Sequence, residues 1–265
     1  MRIVVPIKQV PETSNVKMDP ETGTMLRTGV EAIVNPLDLY AIEAALRLRD
    51  QVGGQVTTIS MGPPLAEKAL KEAIAMGCDD GVLLSHRKFA GADTWATAYT
   101  LAQAIMKLGA VDLVICGERA TDGDTGQVGP GIAAFLDLPL ATYISRISDV
   151  AEDGLYVDRM VEGGIEVLWT ALPAVLTVVK EIATPRLPTL RGKQRARSMT
   201  LPMWGPDELD LDATKIGLSG SPTRVVKIDK PKIARHGELV YVKNAADVDA
   251  AADQFVAFLR ERQLI

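Results

Sequence analysis

Short apolar runs and amphipathic stripes alternate with a regular beat along the first half of the chain. Ile3 to Ile7, Val56 to Ile59, Val82 to Leu84 and Leu113 to Cys116 are continuous or nearly continuous apolar runs. Runs of that length and kind predict strands buried on both faces. Between them an apolar residue recurs every three or four positions: Leu37, Ala41, Ala44 and Leu48; Leu65, Ala69, Ala73 and Met76; Trp95, Ala98, Ala102 and Ile105. That spacing lays one apolar stripe along a helix. Asn35-Pro36-Leu37-Asp38 opens the first helix with Asn as N-cap, Pro at the first position and an acid in the first turn, and Gly53-Gly54 stops it. A further apolar helix, Ile132 to Leu136, follows the fourth strand. Strand and helix in strict alternation predict an α/β fold, a mostly parallel, doubly wound sheet with helices on both faces.

After Pro139 the period changes. Thr142 to Ser148, Leu155 to Val161 and Ile165 to Leu172 alternate apolar and polar residues, with turns at Asp153-Gly154 and Gly163-Gly164. These are antiparallel strands added to the sheet edge, and Ala174 to Val179 is a last core strand. Residues 12 to 29 form a long polar excursion with turns at Asp19-Pro20 and Thr22-Gly23, of the shape a hairpin takes. Local order weakens between Ile182 and Pro206, where prolines mix with Arg186, Arg191, Lys193, Arg195 and Arg197. Such a run is a solvated linker or a docking segment in preference to a phosphate or nucleic-acid contact. Leu187 and Leu190, apolar among these charges, suit transient binding of an acidic partner. The tail from Val225 reads as an arm followed by a helix capped at Asn244, with Val248, Ala252, Phe255 and Leu259 on one face. That face needs another surface, and a second subunit would supply it. The expected division is an α/β domain over 1–182, a partner-recognition loop over 183–206 and a C-terminal arm and helix over 207–265.

Composition narrows the choice of function. With 47% hydrophobic and 24% charged residues the chain can bury a core. A net charge of -5 argues against nucleic acid as a partner, and 5% aromatic residues argue against stacked-base recognition. Cys78 and Cys116 have no metal-ligand spacing and, with His86 and His236, make no metal site. The start of the chain, with one basic residue ahead of a short apolar run, is no signal peptide, and no stretch is long enough for a membrane span; a cytoplasmic protein is expected.

The chemistry concentrates between Val114 and Pro139. A strand there feeds a loop holding Gly117, Gly123, Gly126 and Gly129, with Asp122, Asp124, Thr121, Thr125 and Gln127, and the loop runs into a helix. Free N–H groups and the positive end of a helix dipole attract phosphate, and glycines let backbone approach it. The alternative is a plain strand-to-helix connection, which would not need so many side-chain donors. In parallel sheets ligands sit beyond the carboxyl ends of the strands. Pro6-Ile7-Lys8, Asn35-Pro36, Met61-Gly62, Arg87 to Asp93 and Glu118 to Gly129 would converge there.

At this point the residues resemble a known family, the small or β subunit of electron-transfer flavoproteins. Three stretches carry the likeness: KQVP with NPLDLYAIEAAL near the start, DGDTGQVGP in the loop, and VDRMVEGGIEVLWTALPAVLT from Val157 to Thr177. PRLPTL is similar to the family's recognition loop, and Leu190 takes the place of the leucine that docks into dehydrogenases. The resemblance implies an adenine-nucleotide-binding, Rossmann-like domain in an obligate heterodimer with an α subunit that carries the electron-transferring FAD. In respiratory members the β subunit holds a structural AMP. In an electron-bifurcating branch it holds a second FAD that takes hydride from NADH, sending one electron towards an acyl-CoA dehydrogenase and the other to ferredoxin or flavodoxin.

The bifurcating branch is favoured on two grounds. The segment from Met61 to Thr97 looks like that of bifurcating members, and Val128 stands where mitochondrial-type AMP sites have a threonine able to cap the phosphate. By the same likeness Thr125, Gly126, Gln127 and Val128 would hold phosphate, while Asp122 and Asp124, flanking Gly123, would brace the loop or bond ribose. Pro6, Asn35, Asp38, Thr58 and Gly117 would line adenosine. Phe89, Ala90, Gly91 and Thr94 would lie near the flavin ring and nicotinamide, although Phe89 and Trp95 are equally placed for core packing. Leu187, Leu190 and Arg191 would meet the partner. No residue is required as acid, base or nucleophile. Three rivals stand beside this reading: a simple carrier subunit with AMP in the same site, an ATP-splitting α/β enzyme, and a stand-alone adenine-nucleotide-binding protein. The second would want a Ser-Gly-Gly-rich loop where this chain has Lys8-Gln9-Val10-Pro11.

Overall fold

In the computed structural model the chain forms two units, Met1–Val226 and Lys227–Ile265. The structure describes residues 1–12, 17–18, 25–26, 32–226 and 239–265. The first unit is built on four strand–helix repeats: β1 Arg2–Pro6, α1 Pro36–Val52, β2 Gln55–Met61, α2 Glu67–Met76, β3 Asp80–Leu84, α3 Thr94–Leu108, β4 Leu113–Gly117 and α4 Val128–Leu136. Three antiparallel strands follow, β5 Leu140–Val150, β6 Gly154–Val161 and β7 Gly164–Ala171, then the fully buried β8 Ala174–Val178. Helix α5 spans Leu190–Ser198, and the two-residue β9, Met203–Trp204, comes last. All nine strands join one sheet in the order β7-β6-β5-β8-β4-β1-β2-β3-β9.

The predicted alternation is therefore present, with the antiparallel strands on the expected edge. β8 inserts between β4 and β5 and runs parallel to both. Side chains that point to opposite faces of the strands build two separate cores. Ile3, Val5, Val56 and Leu83 meet Ile42, Leu46 and Leu70 of α1 and α2 on one face. Val4, Ile59, Val82 and Val114 meet Ala98, Ile105 and Ile132 of α3 and α4 on the other. Each such fully buried aliphatic side chain contributes about 1.5–3 kcal/mol of transfer free energy, so the two cores rather than helix propensity hold the layers.

Three expectations change. Asn35 holds the N-cap position of α1, but its side chain makes no cap bond there. Its backbone carbonyl instead accepts from the N–H of Asp38 at 2.9 Å, and Pro36 starts the helix with one fewer donor to satisfy. Helix α4 begins at Val128, not Ile132, so the last residues of the predicted loop are helical. The weakly ordered segment is ordered: Thr189 Oγ1 accepts from the N–H of Gly192 to cap α5, which packs through Ala196 against Ile74 and Ala75 of α2. β9 then adds a strand beside β3. In the early excursion, Gln9–Pro11 pairs antiparallel with Ala32–Val34, and Lys17–Met18 with Met25–Leu26; the remainder lies outside the described residues.

In the second unit α7 spans Ala246–Glu261, and the label α6 belongs to the short turn of helix at Pro206–Leu209 in the first. Asn244 Oδ1 accepts from the N–H groups of Ala246 and Asp247 at 3.0 and 3.2 Å, as a cap should. Val248, Phe255 and Phe258 on α7 are exposed. The arm at 227–238 lies outside the described residues.

Candidate functional site

β1 lies between β4 and β2, and the connections from β1 and β4 leave in opposite directions. The carboxyl ends of this pair form a crevice of the kind in which open parallel sheets take ligands. Its wiring centres on the start of α1. Asp38 is 6% exposed. Its Oδ2 accepts from the backbone N–H of Lys8 at 2.7 Å and its Oδ1 from Asn35 Nδ2 at 2.8 Å. Asn35, fully buried, also donates Nδ2 to the carbonyl of Arg119 at 2.9 Å, and its Oδ1 accepts from the N–H of Thr121 at 3.1 Å. One amide thus ties the loop after β4 to the first turn of α1. Lys8 Nζ adds an ion pair to Asp122 Oδ1 at 2.7 Å. Burial lifts the Asp38 pKa to about 7, against the pull of the Asn35 and Lys8 hydrogen bonds.

Gly117, at the end of β4, is where the close approach is tightest. A Cβ there would stand 2.5 Å from Asp38 Oδ1 and 2.9 Å from the carbonyl carbon of Leu37. Further along, Asp124 and Gly126 take left-handed backbone angles, φ 54° and 63°, and a Cβ on Gly123 would meet nothing within 4 Å. Asp124 pairs with Arg119 at 3.3 Å, so both loop aspartates are matched by cations. Thr125 and Gln127 are exposed and Val128 is half-buried. Open glycines, a positive-φ turn and the N-terminus of α4 form a cradle that suits an anion.

The structure brings Pro6, Asn35, Asp38 and Gly117 together with the loop. Pro6 is buried at the end of β1. Thr58 sits in mid-strand opposite Val5, with its hydroxyl donated to the carbonyl of Asp80 at 3.2 Å. Ser60, two residues on and on the same face, is nearer the crevice end of β2; its hydroxyl is fully buried and has no hydrogen-bond partner. Lys8 and Arg119 lie in stretches expected to converge here, without a role assigned to either, whereas nothing in the sequence singled out Ser60. The only trace of Ser60 in the sequence is a small polar residue near the carboxyl end of an apolar strand.

At the end of the connection after β3, the first residue of α3 meets the residue before α4: Thr94 Oγ1 donates to Gln127 Oε1 at 3.0 Å. Asp93 caps α3 and also binds Thr223; burial would raise its pKa, but the N–H of Ala96 and the hydroxyl and N–H of Thr223 hold it below the usual value. Ala90 and Gly91 are exposed here, whereas Phe89 is 5% exposed and packed in the α3–α4 core. Trp95 is half-exposed in an aromatic group with Tyr99 and Phe135. On the far side of α2, Leu187 and Leu190 are 85% and 87% exposed, and Arg191 is exposed beside them. Among the described residues no group of three or more His, Cys, Asp or Glu side chains is placed to hold a metal ion, and no helix is long and apolar enough to cross a membrane.

Residues 22–209 match the family model described as the electron transfer flavoprotein domain. The chain belongs to the electron transfer flavoprotein family. Over the full length of both chains it is 45% identical to an electron transfer flavoprotein subunit beta of Thermoanaerobacterium thermosaccharolyticum. It is 43% identical, again end to end, to the caffeyl-CoA reductase-Etf complex subunit CarD of Acetobacterium woodii. Protein FixA of Azotobacter vinelandii is 46% identical over 88% of this chain and 85% of its own. In this electron transfer flavoprotein subunit the matched region contains α1, the β4 loop and α5, so the loop side of the crevice and the exposed leucines lie within the matched region, while β1 and Lys8 precede it.

Proposed function

We propose that this chain is the β subunit of a heterodimer with an electron transfer flavoprotein α subunit, and that its crevice binds FAD. The complex takes hydride from NADH and divides the electron pair, one electron going through the α-subunit flavin to an acyl-CoA dehydrogenase and one to ferredoxin or flavodoxin. The observation that supports FAD over AMP is the Thr94–Gln127 contact. It joins the start of α3, where the connection after β3 ends, to the residue that opens α4, so a ligand longer than a mononucleotide would have protein along its onward path. The buried, unpartnered Ser60 hydroxyl and the open Gly123 fit a polar ligand in the crevice.

Bound flavin supplies the hydride and electron chemistry; the chain supplies position and electrostatics. Asn35 and Asp38 hold the loop in register, the N–H groups around Thr125 to Val128 face phosphate, and Gly117 permits the approach of loop to helix. Leu187, Leu190 and Arg191 meet the dehydrogenase. The name of the Acetobacterium woodii relative places that protein in a complex with a CoA-thioester reductase, which supports a partner of the same chemistry here. The test is to denature the purified αβ complex and count what it releases. Two flavins per heterodimer and bleaching on NADH addition are expected. One flavin and one AMP would establish the simple carrier instead.

A further inference from the structure

We propose that Glu43 and Arg186 are positioning residues for partner docking, a fork-and-socket pair that holds the exposed leucines of the 187–190 segment in their binding geometry. The inference rests on the reading that Leu187 and Leu190 meet the partner, and it assigns the reason they are presented as they are. Glu43 lies on α1, 3% exposed. Its carboxylate accepts from Arg186 three times, from the backbone N–H at 3.1 Å, from Nε at 2.8 Å and from Nη2 at 3.3 Å. Arg47 Nε adds a fourth donor at 2.8 Å. Arg186 Nη1 reaches Asp50 Oδ2, two turns along the same helix, at 3.0 Å. One guanidinium therefore bridges two turns of α1, and the Glu43 carboxylate that receives it also holds the Arg186 backbone N–H.

The other end of the segment is fixed independently. The N–H of Thr189 donates to the carbonyl of Ala75 at 3.3 Å, and Thr189 caps α5. Gly192 lies so close to α2 that a Cβ would come within 2.1 Å of the Ala75 oxygen. Arg195 Nη1 donates to the carbonyl of Cys78 at 3.1 Å, and its Nη2 to that of Asp79. Leu187 stands between the Arg186 and Thr189 anchors and Leu190 opens α5 just after Thr189, both almost fully exposed. A segment whose backbone is held and whose apolar side chains are left in water loses little entropy when those side chains are buried by a partner. A buried carboxylate spent on a surface arginine has little other purpose, since an apolar pair at the same place would serve stability as well.

The test uses the αβ complex, with electron transfer from an acyl-CoA dehydrogenase reduced by its own acyl-CoA. Arg186→Ala is expected to raise the KM for the dehydrogenase about tenfold, the cost of reordering a freed segment. The kcat at saturating dehydrogenase and the bound nucleotide content stay unchanged, and amide exchange over residues 187–192 speeds up. Arg186→Lys, which keeps one charge on Glu43 but loses the fork, falls between. Leu190→Ala raises KM without changing exchange. The double variant rises no further than Leu190→Ala alone, because Arg186 acts through the leucine. If Leu190→Ala leaves KM unaltered, the docking reading itself fails. If Leu190→Ala raises KM while Arg186→Ala does not, or if the two effects multiply fully, docking stands and the positioning role is overturned. Asp50→Asn, which strips only the exposed half of the fork, gives the same discrimination with a smaller KM change should Arg186→Ala not fold.

Discussion

Replacing Asp38 by Asn tests the centre of the crevice. The carboxyl is buried among the first turn of α1, Lys8 and Gly117, and burial carries its pKa to about 7. An unfolded aspartate titrates near 3.9. A carboxyl that binds its proton more tightly when folded contributes stability in full below the unfolded pKa. That contribution drains away as pH rises to the folded pKa and then levels off. At 1.36 kcal/mol per unit the whole loss is about 4 kcal/mol, of which about 2 kcal/mol falls between pH 5.5 and 8. Glu43 and Asp50 act in the opposite sense. Burial raises the Glu43 pKa but its bonds to Arg186 and Arg47 bring the net value down, and Arg49 and Arg186 lower that of Asp50. Their stabilisation is lost only as pH falls through and below the usual carboxylate range, outside this window.

Asp38→Asn abolishes the titration but not the packing. An amide keeps one acceptor and turns an NH2 group on either Lys8 N–H or Asn35 Nδ2, which costs about 1–3 kcal/mol. The two stability curves should therefore cross: wild type the more stable near pH 5.5, the variant equal or better near pH 8. Urea unfolding at constant ionic strength, followed by tryptophan fluorescence at each pH, measures both, and their difference cancels every group the two proteins share. A difference that stays constant across the window would refute the desolvated carboxyl and the hub built on it.

Three further outcomes follow from single contacts. Gly117→Ala should cost about 1–3 kcal/mol through overpacking and strip bound nucleotide, because its Cβ meets Asp38 Oδ1 at 2.5 Å; a melt and a nucleotide count read the two effects. Ser60→Ala should stabilise the nucleotide-free chain by about 1 kcal/mol, by removing an unsatisfied buried hydroxyl, and weaken nucleotide binding in calorimetry; unchanged affinity would place Ser60 outside the site. Gly192→Ala should destabilise by about 1–3 kcal/mol and lift the start of α5 from Ala75, seen as faster amide exchange at residues 189–193.

The parts that were legible in the sequence are those whose cause is local. Strand runs, most of the helix stripes and the strand-to-loop step after β4 each carry a period or a backbone requirement within a dozen residues, and they are present where that period put them, although Leu65 lies outside α2 and exposed. Local rules failed where distant atoms decide. Gly129 reads as loop in the sequence, since glycine costs about 1 kcal/mol in a helix, and Gly131 lies in the same helix. In the fold they are what lets α4 approach β8 and α3: a Cβ on Gly129 would meet Thr177 Cγ2 at 2.6 Å, and one on Gly131 would meet Ala98 Cβ at the same distance. Arg186 and Arg195 looked solvated because no local acid answers them. Their partners are Glu43 and Asp50, and the carbonyls of Cys78 and Asp79, more than a hundred residues away. Asn35 shows the same division within one residue. Its place at a helix start was readable from Pro36 and Asp38, but its work was not, because the loop it holds becomes its neighbour only once β4 pairs with β1. The Asn35 side chain bonds Asp38 on its own helix and both Arg119 and Thr121 on the loop, which is why the start of α1 and the loop after β4 act as one site.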